Sequence, residues 1–152
     1  MRPESGRAWR LAIVLAGVVV AADQAIKAIV ESNLTVGEDV EVVGPITITN
    51  VHNRGIAFGL AGGSGDGIVI ATIAALGLIL LLFARTARNP GTWVAVGLIA
   101  GGALGNLADR VRADAVTDYI DLPAWPAFNL ADIAITLGVA MLAWTLLREA
   151  ET

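Results

Sequence analysis

Four long apolar runs divide the chain and limit what it can fold into. They cover residues 11–22, 68–84, 93–108 and 130–147, and only the last contains an ionisable residue, Asp132. With its flanking residues, each run approaches the ~20 residues that a helix needs to cross a bilayer. The sequence therefore predicts an all-α integral membrane protein. Its four transmembrane helices, at about 10–30, 67–84, 92–110 and 130–147, would form a single domain over residues 1–152.

The composition agrees with a membrane protein and excludes several kinds of site. Of the 152 residues 56% are hydrophobic, whereas soluble domains are roughly 45–50% apolar. The chain has no Cys and one His, which excludes disulfides, thiolate metal sites and multi-histidine metal sites. We therefore expect no metal and no cofactor.

The segment between the first two spans has the pattern of β-structure. Residues 40–43 and 46–51 are rich in β-branched side chains, and Gly44-Pro45 between them is a turn signal. We predict a small extracytoplasmic β-hairpin or sheet between helices 1 and 2, within about residues 35–60.

Two further segments lie outside the predicted spans. Residues 62–67 form a glycine-rich linker, in which Asp66 is the predicted N-cap of the second helix. Residues 111–128 contain Pro123 and Pro126, and we predict a loop there.

The basic residues indicate the orientation in the membrane. With four spans, the side that holds both termini has six: Arg2, Arg7, Arg10, Arg85, Arg88 and Arg148. The opposite side has four, mostly inside polar motifs: Lys27, Arg54, Arg110 and Arg112. The positive-inside rule then predicts cytoplasmic termini. A cleaved signal peptide is the alternative interpretation of the first run, but no small-x-small site closes it before Asp23.

The polar clusters converge on one side of the membrane in this topology. They end the first and third spans, begin the fourth, and occupy the loops on that side: Asp23, Lys27, Asn53, Asn106, Asp109, Arg110, Asp118, Asn129 and Asp132. Ionisable residues at the edge of a span are costly, which makes them candidates for function.

Several of these residues also have a purely structural interpretation. Asp23 and Lys27 are four residues apart and can pair on one helix face, with Lys27 snorkelling to the interface. Asn129 and Asp132 have the spacing of a helix capping box, and the helix dipole favours a carboxylate at Asp132.

A stripe of glycines precedes the polar cluster that ends the third span. Gly97, Gly101 and Gly105 recur every four residues, which lets two helices pack closely in a membrane. Asn106 and Arg110 lie on nearly the same stripe, so the close-packed face can also present them to a site.

Asp118 and Asp132 suggest a catalytic hypothesis. Two carboxylates that share one proton can hydrolyse a peptide bond, one acting as base on water and the other donating to the scissile carbonyl. Arg110 or Lys27 would tune or orient the pair. Two other functions stay open: a proton- or ion-coupled carrier using these carboxylates as a relay, and a non-catalytic assembly factor that binds helices through the glycine stripe.

Five motifs, in order along nearly the whole chain, resemble those of the bacterial lipoprotein signal peptidases, the type II signal peptidases. They are Asp23-Gln24-x-x-Lys27, Asn53-x-Gly55-x-Ala57-Phe58, Gly101-Gly102-Ala103-x-Gly105-Asn106-x-x-Asp109-Arg110, Val116-x-Asp118-Tyr119-Ile120 and Phe128-Asn129-x-Ala131-Asp132-x-x-Ile135. The resemblance implies a four-helix membrane aspartyl protease that removes prolipoprotein signal peptides before a lipid-modified Cys.

The resemblance also implies roles for particular residues. Asp118 and Asp132 would be the catalytic pair. Eight further positions match the family motifs and would contact substrate or shape the site: Asp23, Lys27, Asn53, Gly55, Asn106, Arg110, Asn129 and Ala131. Which of the two aspartates holds the resting proton stays open.

The expected partners and location follow from the same resemblance. We expect a diacylglyceryl-modified prolipoprotein as substrate, contact with membrane lipid, no nucleic acid and a monomer. The protein would lie in the bacterial inner membrane with its site at the outer face. From position alone, we further expect the β region to cradle the substrate segment after the cut and the segment around Phe58 to act as a lid.

Overall fold

The computed structural model describes residues 3–55, 65–86 and 91–150. The chain order is helix α1 (Pro3–Asn33), strands β1 (Asp39–Val43) and β2 (Ile46–Asn53), helices α2 (Gly65–Thr86) and α3 (Thr92–Ala113), strands β3 (Val116–Leu122) and β4 (Trp125–Phe128), and helix α4 (Leu130–Ala150). The predicted lid around Phe58 lies outside the described residues.

All four helices are long and apolar enough to cross a membrane. The candidate spans are Gly6–Asn33, Gly67–Arg85, Thr92–Ala113 and Leu130–Arg148. Within the described residues this confirms the prediction of four long apolar helices, while the exact bounds of the membrane spans stay a prediction. The N-cap prediction for Asp66 is wrong, because α2 already begins at Gly65 and Asp66 lies in its first turn.

Helix α3 is central and packs against the other three helices. Its glycines permit this: a Cβ at Gly101 would stand 2.9 Å from the carbonyl oxygen of Ala16 on α1. On the other side of α3, a Cβ at Gly102 would collide with the carbonyl oxygen of Ala131 on α4. The predicted close packing through the glycine stripe is therefore confirmed, and it draws the polar ends of three helices together.

The β-structure is larger than the sequence predicted. A four-stranded antiparallel sheet has the order β1-β2-β3-β4, and the α3–α4 connection contributes half of it. The loop predicted over residues 111–128 is therefore wrong. The prolines suggested a loop, but Pro126 lies in β4, an edge strand, where a missing N–H costs no ladder hydrogen bond.

Pairing of β2 with β3 places different polar residues on the two faces of the sheet. His52 is opposite Thr117, and Val51 is opposite Asp118. Because side chains alternate along a strand, Asp118 shares a face with Asn53, and Thr117 shares the other face with His52.

Candidate active site

Asp118 is held by two amide groups. Asn53 Nδ2 donates to Asp118 Oδ2 at 2.9 Å, and Asn129 Nδ2 donates to Oδ1 at 2.7 Å. The residue is only 2% exposed. The pKa of Asp118 is raised from 3.8 to about 6, chiefly by burial. The negative charge of Asp132 also raises this pKa, while the two amides and Lys27 lower it.

Asp132 is held by a third asparagine and by the backbone. Asn106 Nδ2 donates to Asp132 Oδ1 at 2.8 Å, and the Asn129 backbone N–H donates to Oδ2 at 3.2 Å. Asp132 N–H donates in return to Asn129 Oδ1 at 3.0 Å. The predicted capping box is therefore confirmed, and the positive end of the helix dipole stabilises a charge on this carboxylate.

Asn129 connects the two carboxylates. It is fully buried, and its Nδ2 also lies 3.1 Å from Asn106 Oδ1 and 3.3 Å from the Thr117 carbonyl oxygen. One residue thus binds Asp118 through its side chain and Asp132 through its backbone. Because the contact with Asp132 is local to the start of α4, a movement of α4 relative to β3 would break the contact with Asp118 and separate the two carboxylates.

Lys27 fixes the orientation of the Asn106 amide. Lys27 Nζ lies 2.8 Å from Asp23, 2.6 Å from Asp109 and 3.0 Å from Asn106 Oδ1, which uses all three of its donors. Since Asn106 Oδ1 faces the ammonium, Nδ2 must face Asp132. The predicted Asp23–Lys27 pair is confirmed. Snorkelling is not, because Lys27 is only 2% exposed.

Asp23 joins α1 to the start of α4. Its Oδ1 accepts the Ala131 backbone N–H at 3.1 Å, and both residues are fully buried. Gly105 leaves room for this carboxylate, since a Cβ there would stand 2.7 Å from Asp23 Oδ2. The contacts of Asp23 and Ala131 brace the helix that carries Asp132.

Gly55 and Arg110 act at a distance from the carboxylates. Gly55 has a φ of +71°, and its N–H donates to Asn53 Oδ1 at 2.8 Å, which orients Asn53 toward Asp118. Arg110 Nη1 donates to the Asn106 backbone oxygen at 3.4 Å. Among the described residues, Arg110 makes no hydrogen bond to Asp118 or Asp132, so direct tuning of the pair by Arg110 finds no support.

The structure adds three residues to the site that were not among the predicted catalytic and site-shaping residues, although Asp109 was among the polar candidates. Asp109 pairs with Lys27, and Gln24 Nε2 donates to Asp109 Oδ1 at 2.8 Å. Tyr119 Oη accepts the Leu130 N–H at 3.0 Å, at the entry to α4. All three residues belong to the family motifs given above, so those motifs could have identified them as site residues.

The fold and the site together define a class of protein. It is a multi-pass membrane protein with two carboxylates, one buried and one partly buried, that are held by a shared asparagine at one end of its spans. That arrangement suits aspartic peptidase chemistry.

Comparison with known sequences identifies the family. The sequence profile described as Signal peptidase (SPase) II matches residues 15–148. The chain is 41% identical over 140 residues to the lipoprotein signal peptidase of Pelotomaculum thermopropionicum, covering 91% of this chain and 92% of that protein. It is 40% identical over 151 residues to the lipoprotein signal peptidase of Nitratidesulfovibrio vulgaris, covering 93% and 92%.

A solved structure agrees with the sequence relatives. The chain matches a structure described as a bacterial membrane enzyme at 1.9 Å resolution, with a TM-score of 0.84 and 35% identity over 90% of this chain and 92% of that one. The chain therefore belongs to the signal peptidase II family, a family of aspartic peptidases. The predicted family, fold class and peptidase class are confirmed.

Proposed function

We propose that the protein removes signal peptides from diacylglyceryl-modified bacterial prolipoproteins, cutting before the lipid-modified Cys, with Asp118 and Asp132 as its catalytic residues. The single observation that carries this proposal is the pair of carboxylates joined by Asn129, which binds one through its side chain and the other through its backbone. Family membership supports lipoprotein processing as the reaction.

The two carboxylates divide the acid and base roles. The raised pKa of Asp118 favours the protonated form, so Asp118 donates its proton to the scissile carbonyl oxygen. Asp132 lies in the first turn of α4, where the helix dipole favours negative charge, so it takes a proton from the attacking water. The water oxygen bonds to the carbonyl carbon and forms a tetrahedral intermediate. Asp132 then gives the proton it took from water to the leaving nitrogen as the C–N bond breaks, and Asp118 recovers a proton from a hydroxyl of the intermediate as the carbonyl forms again.

The asparagines and Lys27 are positioning residues in this mechanism. Asn53 and Asn106 each donate to one carboxylate, and Lys27 prevents Asn106 from turning its oxygen toward Asp132. Because each carboxylate has donors on both of its oxygens, its orientation is fixed before substrate binds.

The position of the site suits a lipid-anchored substrate. Asp118 follows the end of α3, and Asp132 lies in the first turn of α4, which supports a cleavage site near the membrane surface. The excess of Arg near the termini supports cytoplasmic termini and an outward-facing site in the inner membrane. A substrate cysteine there keeps its acyl chains in the bilayer, and the sheet is placed to receive the segment after the cut. The monomeric state belongs to this proposal as well.

The ion-carrier alternative gains no support from the structure. A relay needs ionisable groups at successive depths of the bilayer. Asp23, Lys27 and Asp109 instead gather in one cluster with Asp132 near the ends of their helices. The glycine stripe is already occupied by contacts within the chain, which removes the main support for a helix-binding assembly factor.

A matched pair of substrates tests the proposed function. The purified protein in detergent receives one prolipoprotein with a diacylglyceryl-modified Cys and the same precursor without the lipid. Mass spectrometry should find cleavage directly before the Cys in the modified precursor alone. Equal cleavage of both precursors would contradict the lipid requirement, and cleavage of neither would contradict the peptidase assignment.

A further inference from the structure

A cavity with several polar side chains in its walls lies behind the sheet, on the face opposite Asp118. Its volume is about 570 Å³, and it is lined by the end of α1, by β2 and β3, and by the chain after α3. Asn50, His52 and Thr117 line it, whereas Asn53 and Asp118 bond to each other on the other face. The sheet therefore separates this cavity from the proposed catalytic site.

Asn50, one of the residues that line this cavity, has an unmet hydrogen-bond acceptor. The residue is 2% exposed, and its Nδ2 donates to the Leu34 carbonyl oxygen at 2.8 Å, which fixes the direction of the amide. Its buried Oδ1 accepts no hydrogen bond from the described parts of the chain. Leaving a buried acceptor unpaired costs roughly 1–3 kcal/mol. A ligand that donates a hydrogen bond here would recover that cost.

The other walls of the cavity also favour a cation. Glu31 contributes a carboxylate whose Oε1 accepts from Thr117 Oγ1 at 2.5 Å. Residues 31–33 form the last turn of α1, where the helix dipole is negative. Among the described residues that line the cavity there is no Lys or Arg to compete for these acceptors.

The length of α1 is compatible with a cavity at the level of the lipid headgroups. The candidate span Gly6–Asn33 has 28 residues. At 1.5 Å per residue a helix of that length is about 42 Å long, which exceeds the ~30 Å hydrocarbon core. The helix is therefore long enough for its last turn to reach the headgroup layer, and Ile29, two residues before Glu31, presents an apolar side chain that is 62% exposed.

We propose that this cavity binds the headgroup of an ethanolamine phospholipid. The primary ammonium donates hydrogen bonds to Asn50 Oδ1 and to the Glu31 carboxylate, and His52 is placed to donate to the phosphate. A bound lipid would brace β3 from behind, since the Thr117 backbone oxygen also accepts from Asn129. The inference does not depend on the proposed peptidase function.

Lipid binding to the purified full-length protein tests this site without any turnover measurement. Native mass spectrometry compares phosphatidylethanolamine, phosphatidylcholine and phosphatidylglycerol with identical acyl chains. The ethanolamine lipid should bind about tenfold more tightly than the choline lipid, whose quaternary nitrogen has no N–H to donate. Glu31→Gln should remove that preference. Glu41→Gln, which deletes the same charge from the exposed strand β1 outside the cavity, should keep it.

A second variant and a soluble competitor sharpen the test. Asn50→Ala, checked for folding by its thermal midpoint, should also lose the ethanolamine preference. Equal binding of the three lipids, or equal behaviour of Glu31→Gln and Glu41→Gln, would overturn the site. Soluble O-phosphoethanolamine should compete weakly because it lacks acyl chains. Displacement of the lipid at equal concentration would overturn the assignment to a lipid.

Discussion

Replacing Asp118 with Asn should change the pH dependence of folding stability in a defined direction. The folded carboxyl group holds its proton more tightly than the unfolded chain, because burial raises its pKa from 3.8 to about 6. Wild-type protein therefore loses stability as pH rises through this window, and the whole cost is present above pH 6. Asn does not titrate and avoids this loss.

The size of the effect follows from the same two pKa values. The difference between 3.8 and about 6 corresponds to roughly 3 kcal/mol. The variant also has a pH-independent cost of roughly 1–3 kcal/mol, since its new NH₂ group faces the donor of Asn53 or Asn129. The stability of Asp118→Asn relative to wild type should therefore increase by up to about 3 kcal/mol between low and neutral pH.

Reversible unfolding in detergent, followed by tryptophan fluorescence across the pH range, measures this difference. Asp121→Asn is the matched control, because it removes another carboxylate from β3 outside the cluster of asparagines. Its profile shows how much change comes simply from deleting a charge on this strand. A stability difference between Asp118→Asn and wild type that is constant or shrinks as pH rises would refute the assigned burial cost.

Three further predictions concern packing, pH and metals. Gly102→Ala should destabilise the protein by about 1–3 kcal/mol and reduce cleavage, because the added Cβ would collide with α4 at Ala131. Gly77→Ala is the control: its added Cβ would meet no atom within 4 Å, so this variant should fold and cleave normally in the same assays. Cleavage rate should fall as pH rises through about 6, as the Asp118 acid loses its proton, and a rate that increases through this range would reverse the acid and base roles. EDTA should leave the rate unchanged, because Cys is absent and His occurs once, and a loss restored by added metal would argue against this chemistry.

Local patterns in the sequence were sufficient for much of the fold. The spans follow from the length of the apolar runs. The contacts of Asn129 with Asp132 and of Asp23 with Lys27 follow from helical spacing, because partners three or four residues apart meet on one face. The glycine stripe likewise predicted where α3 approaches α1.

Contacts between distant segments were not predictable in the same way. The sequence did not reveal strands β3 and β4, since Pro123 and Pro126 suggest a loop and pairing depends on β2, more than sixty residues earlier. The role of Lys27 in turning Asn106 was equally hidden, because the two residues are 79 positions apart. Arg110 shares a stripe with Asn106 but not its contact with Asp132.

The most direct test of the catalytic pair uses Asp118→Asn and Asp132→Asn, made separately and given the diacylglyceryl-modified prolipoprotein. Both variants should insert in the membrane, unfold in a single cooperative thermal transition, and release no signal peptide. The control Asp121→Asn should cleave at the wild-type rate. Retention of wild-type cleavage by either catalytic variant would contradict the assignment of Asp118 and Asp132.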